Sequence, residues 1–84
     1  MHIYGNNSEG SSAALLRYQP GASVPRHQHS GYEHIFILSG SQTDESATYS
    51  KGDLLVSPPG STHSIRSEDG CMALAIWERG VVFE

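Results

Sequence analysis

Apolar and polar positions alternate in short runs along this chain, separated every eight to twelve positions by glycine, proline and other turn residues. The strongest run is Glu33 to Ser39 (EHIFILS), rich in aromatic and β-branched residues and closed by Gly40. Extended chain points successive side chains to opposite faces, so Glu33, Ile35 and Ile37 share one face and His34, Phe36 and Leu38 the other. Apolar residues on both faces predict a strand that is sandwiched or packs on a second subunit. A second strand is predicted over Ala13 to Gln19, ended by Pro20-Gly21, with Leu15 and Leu16 on opposite faces. Ser23 to His29 should be extended, because Pro25 fixes its own φ and biases Val24 away from helix. Ser41 to Ser50, centred on Asp44-Glu45-Ser46, predicts a hairpin between two short strands. Further strands are predicted at Leu54 to Val56, His63 to Arg66, Cys71 to Trp77 and Val81 to Phe83, with a rigid corner at Ser57-Pro58-Pro59-Gly60. The alanines, Met72 and Leu74 of the Cys71 run favour helix on propensity alone. Gly70 and Gly80 bound that run closely and its neighbours are all strands, so it is assigned as strand. The pattern predicts an all-β domain, either two facing sheets or a small barrel.

Length and composition narrow this picture. The chain has 84 residues, which predicts one domain: a polar lead-in over residues 1–12, turn-like from residue 5, and a single folded domain over 13–84. Chains of this size bury roughly 60% or a little more of their unfolded surface, so the core is thin and a metal or partner subunit would help it. The net charge is −4, and five basic residues are scattered singly. Nucleic acid and anionic membranes, which need a concentrated positive patch, are not expected partners. A single cysteine excludes an internal disulfide and fits a reducing compartment. The first twelve residues lack the apolar core of a signal peptide, and no apolar run approaches the ~20 residues of a membrane helix. A cytoplasmic protein is expected.

Candidate chemistry lies in Gly21 to Gly40. His27 and His29, one residue apart, project to the same side of an extended chain, and Glu33 can swing a carboxylate toward them across a turn at Ser30-Gly31. For a fourth donor the chain offers His2, His34 and His63. His2 lies in the lead-in and His34 points opposite to Glu33, which leaves His63, just past the proline corner. Three imidazoles and one carboxylate suit one divalent metal per chain: zinc first, with iron, manganese, nickel or cobalt as alternatives. Cys71 is expected to be a small buried hydrophobe, and Asp44, Glu45, Glu68 and Asp69 to be solvated turn residues. Arg17, Tyr18, Gln42, Tyr49 and Trp77 are candidates to face the cavity.

The spacing of these residues resembles a known family. Gly21, His27, His29, Glu33 and Gly40 stand at the offsets of the first cupin motif, and Gly52, Pro58, Gly60 and His63 at those of the second. Ser67 occupies the place of the closing asparagine, so nine of ten fixed positions match. The runs HQHSGYEH and GSTHSIRSEDGC are similar to ChrR-like cupins, whose anti-sigma member carries the same donor set on zinc. The resemblance implies an RmlC-like cupin barrel (a double-stranded β-helix, or jelly roll) with His27, His29, Glu33 and His63 as metal ligands. It also implies a small molecule bound or sensed at the metal, or alternatively a dioxygenase- or isomerase-type enzyme, or a purely structural metal. Without the helical sigma-binding domain of the two-domain member, sigma-factor sequestration by this chain alone is not expected. The apolar face of His34, Phe36 and Leu38 predicts a homodimer.

Overall fold

The computed structural model describes residues 1–5 and 10–83. Among these residues it contains nine strands and no helix. They are β1 (His2–Tyr4), β2 (Ser12–Tyr18), β3 (Ala22–His29), β4 (Glu33–Thr43), β5 (Thr48–Ser50), β6 (Leu54–Ser57), β7 (Thr62–Ser67), β8 (Cys71–Trp77) and β9 (Val81–Phe83). All pairings are antiparallel. One sheet runs β1-β2-β8-β4-β6, and the other joins β9, β3, β7, the end of β4 and β5.

The strand β4 makes the curl. Its residues Glu33 to Gly40 pair with β6 and β8 in the first sheet, and Ser41 to Thr43 pair with β5 in the second. The passage is marked by a register shift between Ile37 and Ser39 and by Gly40 at φ +73°. A bulge with a left-handed glycine bends a strand enough to change sheets. The strand expected to close at Gly40 therefore continues through it. Local pattern marks glycine as a terminator, whereas here Gly40 lets the backbone pass close to Gly70.

The alternation of Glu33–Ser39 is realised as read. Ile35 and Ile37 are fully buried with Ile65, Ala73 and Ala75, while Phe36 and Leu38 lie partly exposed on the outer face. The run CMALAIW is a central strand between β2 and β4, its small residues Cys71, Ala73 and Ala75 turned inward. Small side chains on this face let the two sheets approach, and that packing overrides local helix propensity. The lead-in differs from expectation at its start. His2 to Tyr4 form an edge strand on β2, with Met1 and Leu15 exchanging backbone hydrogen bonds of 2.6 and 2.7 Å. A three-residue edge strand that forms only by pairing with β2 is too short to leave a local signal. The turn expected from residue 5 onward falls largely on residues 6–9, outside the described residues.

Candidate metal centre

His27 and His29 alternate inward on β3, and His63 on β7 sits directly opposite His27 in the β3–β7 register. All three rings are buried, as is Glu33 at the start of β4. The corner Pro58-Pro59-Gly60 is tied to β3 in both directions: Gly60 donates its N–H to the His29 carbonyl at 2.8 Å, and His29 donates to the Ser61 carbonyl at 2.9 Å. Gly60 stands at φ +85°, a conformation that lets the chain double back after two prolines and enter β7. The sequence-predicted set is thus brought together: one donor atom from each of His27, His29, Glu33 and His63 lies within 4.8 Å of the others.

The orientation of each ring is set from behind. His27 Nδ1 contacts the Pro25 carbonyl at 2.9 Å, and His29 Nδ1 contacts the Ser61 carbonyl and hydroxyl at 3.1 and 3.0 Å. His63 Nδ1 faces the Asp44 carboxylate at 3.8 Å. Backing of this kind fixes the tautomer and leaves Nε2 aimed at the centre. The rings stand nearly perpendicular to one another, with centroids 4.5 to 5.1 Å apart, like the three faces of a corner. Glu33 Oε1 lies 2.9 Å from His29 Nε2 and 3.6 Å from His63 Nε2, and Glu33 Oε2 accepts a hydrogen bond from the Trp77 indole.

This arrangement fits a metal ion. His63 Nε2 is buried without a hydrogen-bond partner, a condition that costs about 1–3 kcal/mol if nothing takes the atom. The donor set of three imidazoles and one carboxylate is one that divalent zinc and its neighbours in the transition series accept. Glu33 belongs to the first sheet while His27, His29 and His63 belong to the second. An ion held by all four would staple the two sheets together.

Some expectations are corrected. Asp44 is not a solvated turn residue: its carboxylate is largely buried, accepts the Ser46 and Ala47 N–H groups, and backs His63. Glu45 is exposed but engaged, accepting the N–H and hydroxyl of Ser64. Nothing local distinguishes a turn aspartate that caps its own hairpin from one that also reaches a histidine on another strand. Of the cavity candidates, Arg17 is exposed on the outer side of β2. Gln42 is fully buried beside Cys71, Tyr18 and Tyr49 pack against the core, and Trp77 reaches Glu33. Burial, then the charges of Cys71 and Glu33, push the Tyr18 phenol up to about 12, which keeps it neutral. Cys71 is buried as expected, and burial raises its thiol.

Burial lowers the His29 pKa, but the hydrogen bond and charge of Glu33, with the Ser61 carbonyl, outweigh it and raise the value. For His63 burial prevails over the charge of Glu33 and lowers it, helped by the neighbouring histidines. In metal-free protein a protonated His29 therefore stabilises the fold below its unfolded value of about 6.5, and the contribution is lost as pH rises through the raised folded value. His63 acts oppositely, since the unfolded chain binds its proton more readily. With His29 and His63 as ligands, metal-loaded protein would need both rings neutral, so the unfolded state would bind more protons and stability would fall as pH drops below about 6.5. Melting temperatures between pH 7.5 and 5 should decline steeply for loaded protein and much less for chelator-treated protein; parallel curves would contradict this assignment of the ligands.

A small all-β barrel of two facing sheets, carrying three histidines and a glutamate on these strands, defines a cupin. More narrowly, the chain belongs to the ChrR cupin-like domain family, whose model matches residues 1–78. It is 30% identical to a chain of the Rhodobacter sphaeroides SigE complex with the anti-sigma ChrR, covering 82% of this chain and 39% of that one, with TM-score 0.76. It is also 30% identical to the DMSP lyase DddQ of Ruegeria pomeroyi, covering 90% of this chain and 44% of that one, with TM-score 0.73. A cupin-like protein of unknown function from Ralstonia eutropha superposes with TM-score 0.83 at 20% identity, over 93% of this chain and 52% of that one. The chain spans about half the length of these structures or less. No curated protein matches it.

Proposed function

We propose that the chain is a metal-dependent cupin in which His27, His29, Glu33 and His63 hold one divalent ion, zinc first, and a small molecule binds or is sensed beside it. The observation that carries this reading is the buried, unpartnered His63 Nε2 among three further converging donors. When bound, the ion supplies positive charge and Lewis acidity to an oxygen or nitrogen of the ligand. A cleft of about 360 Å³ between the β4–β5 hairpin and the Pro58 corner ends on His63, with Asp44, Tyr49, Ser57 and Arg26 on its walls. The walls offer hydroxyl, carboxylate and guanidinium groups, which suits a polar ligand. An enzymatic alternative draws on the similarity to a DMSP lyase: the same open cleft would then admit a substrate, as in the dioxygenase- or isomerase-type reading.

The homodimer belongs to the same proposal. In register, Val56, His34 and Ile76 form one row across β6, β4 and β8, and Leu54, Phe36 and Leu74 the next. Leu54, Val56, Phe36 and Ile76 are exposed there, and a second copy laid on this face would cover them. A buried free cysteine fits a cytoplasmic setting, and among the described residues no helix is long and apolar enough to cross a membrane. Native mass spectrometry of protein purified without chelator tests these points together. Two chains, one ion per chain and a further small-molecule mass are expected. A single chain would refute the dimer, and ions without any ligand mass or ligand response would favour the structural-metal reading.

A further inference from the structure

Trp77 is the sole tryptophan of the chain, and it stands directly opposite Glu33 in the β4–β8 register. Side chains paired in this way leave the sheet on the same face, close enough to touch. The β4–β6 register sets the buried Ser57 opposite Glu33 on the other flank, so the glutamate enters the barrel between fixed neighbours. Its two carboxylate oxygens consequently face different groups. Oε1 lies among the imidazoles, 2.9 Å from His29 Nε2 and 3.6 Å from His63 Nε2. Oε2 accepts the indole N–H of Trp77. An indole can only donate, and a half-buried one retains its partner. Trp77 also lines a cleft of about 240 Å³ with Gly80, Val81 and Phe83.

We infer that Trp77 is a positioning residue that restricts Glu33 to ligation through Oε1 alone and thereby keeps a coordination position open for the bound small molecule. The inference rests on the metal reading above and adds a device to it. Carboxylates ligate through one oxygen or through both. With Oε2 engaged by the indole, the chain offers three nitrogens and one oxygen. With Oε2 released, the second oxygen becomes a fifth protein donor and competes with an incoming ligand for the same position. A hydrogen bond to a charged group is also among the stronger ones, so freeing Oε2 for ligation carries a cost.

Trp77→Phe keeps the ring and removes the donor. Cobalt(II)-loaded wild type and variant are compared by visible absorption, whose intensity falls as coordination number rises, and by titration with acetohydroxamate as a small metal-binding probe. The variant should still take up one cobalt per chain, show a weaker band and bind acetohydroxamate about 10-fold or more less tightly, the range for loss of a ligand-supporting contact. An unchanged band with unchanged acetohydroxamate affinity overturns the inference while leaving the metal reading intact. Failure of wild type to bind cobalt at all overturns both. A second measurement needs no variant: in zinc-loaded wild type labelled with ¹⁵N-tryptophan, the indole N–H should exchange slowly with solvent and shift on Glu33→Gln. Exchange at the rate of free indole, or no shift, overturns the inference even if Trp77→Phe does not fold.

Discussion

His63→Ala should abolish stoichiometric metal binding and lower the melting temperature on the order of 20 °C. The size follows from mass action. A ligand present at a thousand times its dissociation constant stabilises the folded state by about 4 kcal/mol, and each kcal/mol is worth about 4–8 °C in a domain of this length. His63 is the ring that joins β7 to the centre, and its buried Nε2 has no hydrogen-bond partner, so its removal takes away a ligand without breaking a hydrogen bond to that atom. Two comparisons separate metal loss from a simple cavity. Chelator-treated wild type should melt close to the variant, and His34→Ala, on the outer face beside Tyr32, should keep its metal. Metal analysis and thermal melts of the three proteins provide the check. A His63→Ala protein with a full complement of metal would remove His63 from the site.

Gly40→Ala should break the framework, costing more than about 4 kcal/mol and leaving the chain largely unfolded. A Cβ there would sit 2.1 Å from the Gly70 carbonyl oxygen and 2.8 Å from the Cys71 Cα, both backbone atoms that cannot rotate away. The positive φ adds the ordinary strain of about 1–2 kcal/mol for a left-handed side chain. Gly52→Ala isolates that second contribution: its φ is +92°, yet nothing lies within 4 Å of the added atom. Urea denaturation of the two variants should therefore differ by several kcal/mol despite the shared backbone conformation. Equal effects would show that the close approach of β4 to the β7–β8 turn is not what the glycine serves.

The two halves of the account were not equally legible in the sequence. His27-x-His29 and the Glu33-Ile35-Ile37 face follow from the period of two, a local property; excluding His2 and His34 left His63, and the glycine and proline spacings of the resemblance agree with it. The turn at Asp44 to Ala47 was equally local and forms the expected hairpin. What escaped depends on which strands become neighbours. Trp77 acts through the β4–β8 register, Asp44 through the packing of its hairpin against β7, and β1 through pairing with β2; the intervening chain gives no sign of any of these. Arg17 lies on the outer side although Tyr18 next to it packs on the core, which alternation required but could not orient without knowing where the core lay. The passage of β4 through Gly40 was hidden for a further reason, since a glycine that ends a strand and one that bends it between sheets look alike in sequence.

The central claim is that four side chains drawn from two sheets share one metal ion, and X-ray absorption with elemental analysis on protein purified without chelator tests it most directly. One divalent ion per chain is expected, bound by three imidazole nitrogens and a single carboxylate oxygen from the protein, at ~2.0–2.2 Å if the ion is zinc. Fully folded protein without metal, or an ion lacking imidazole neighbours, would contradict it.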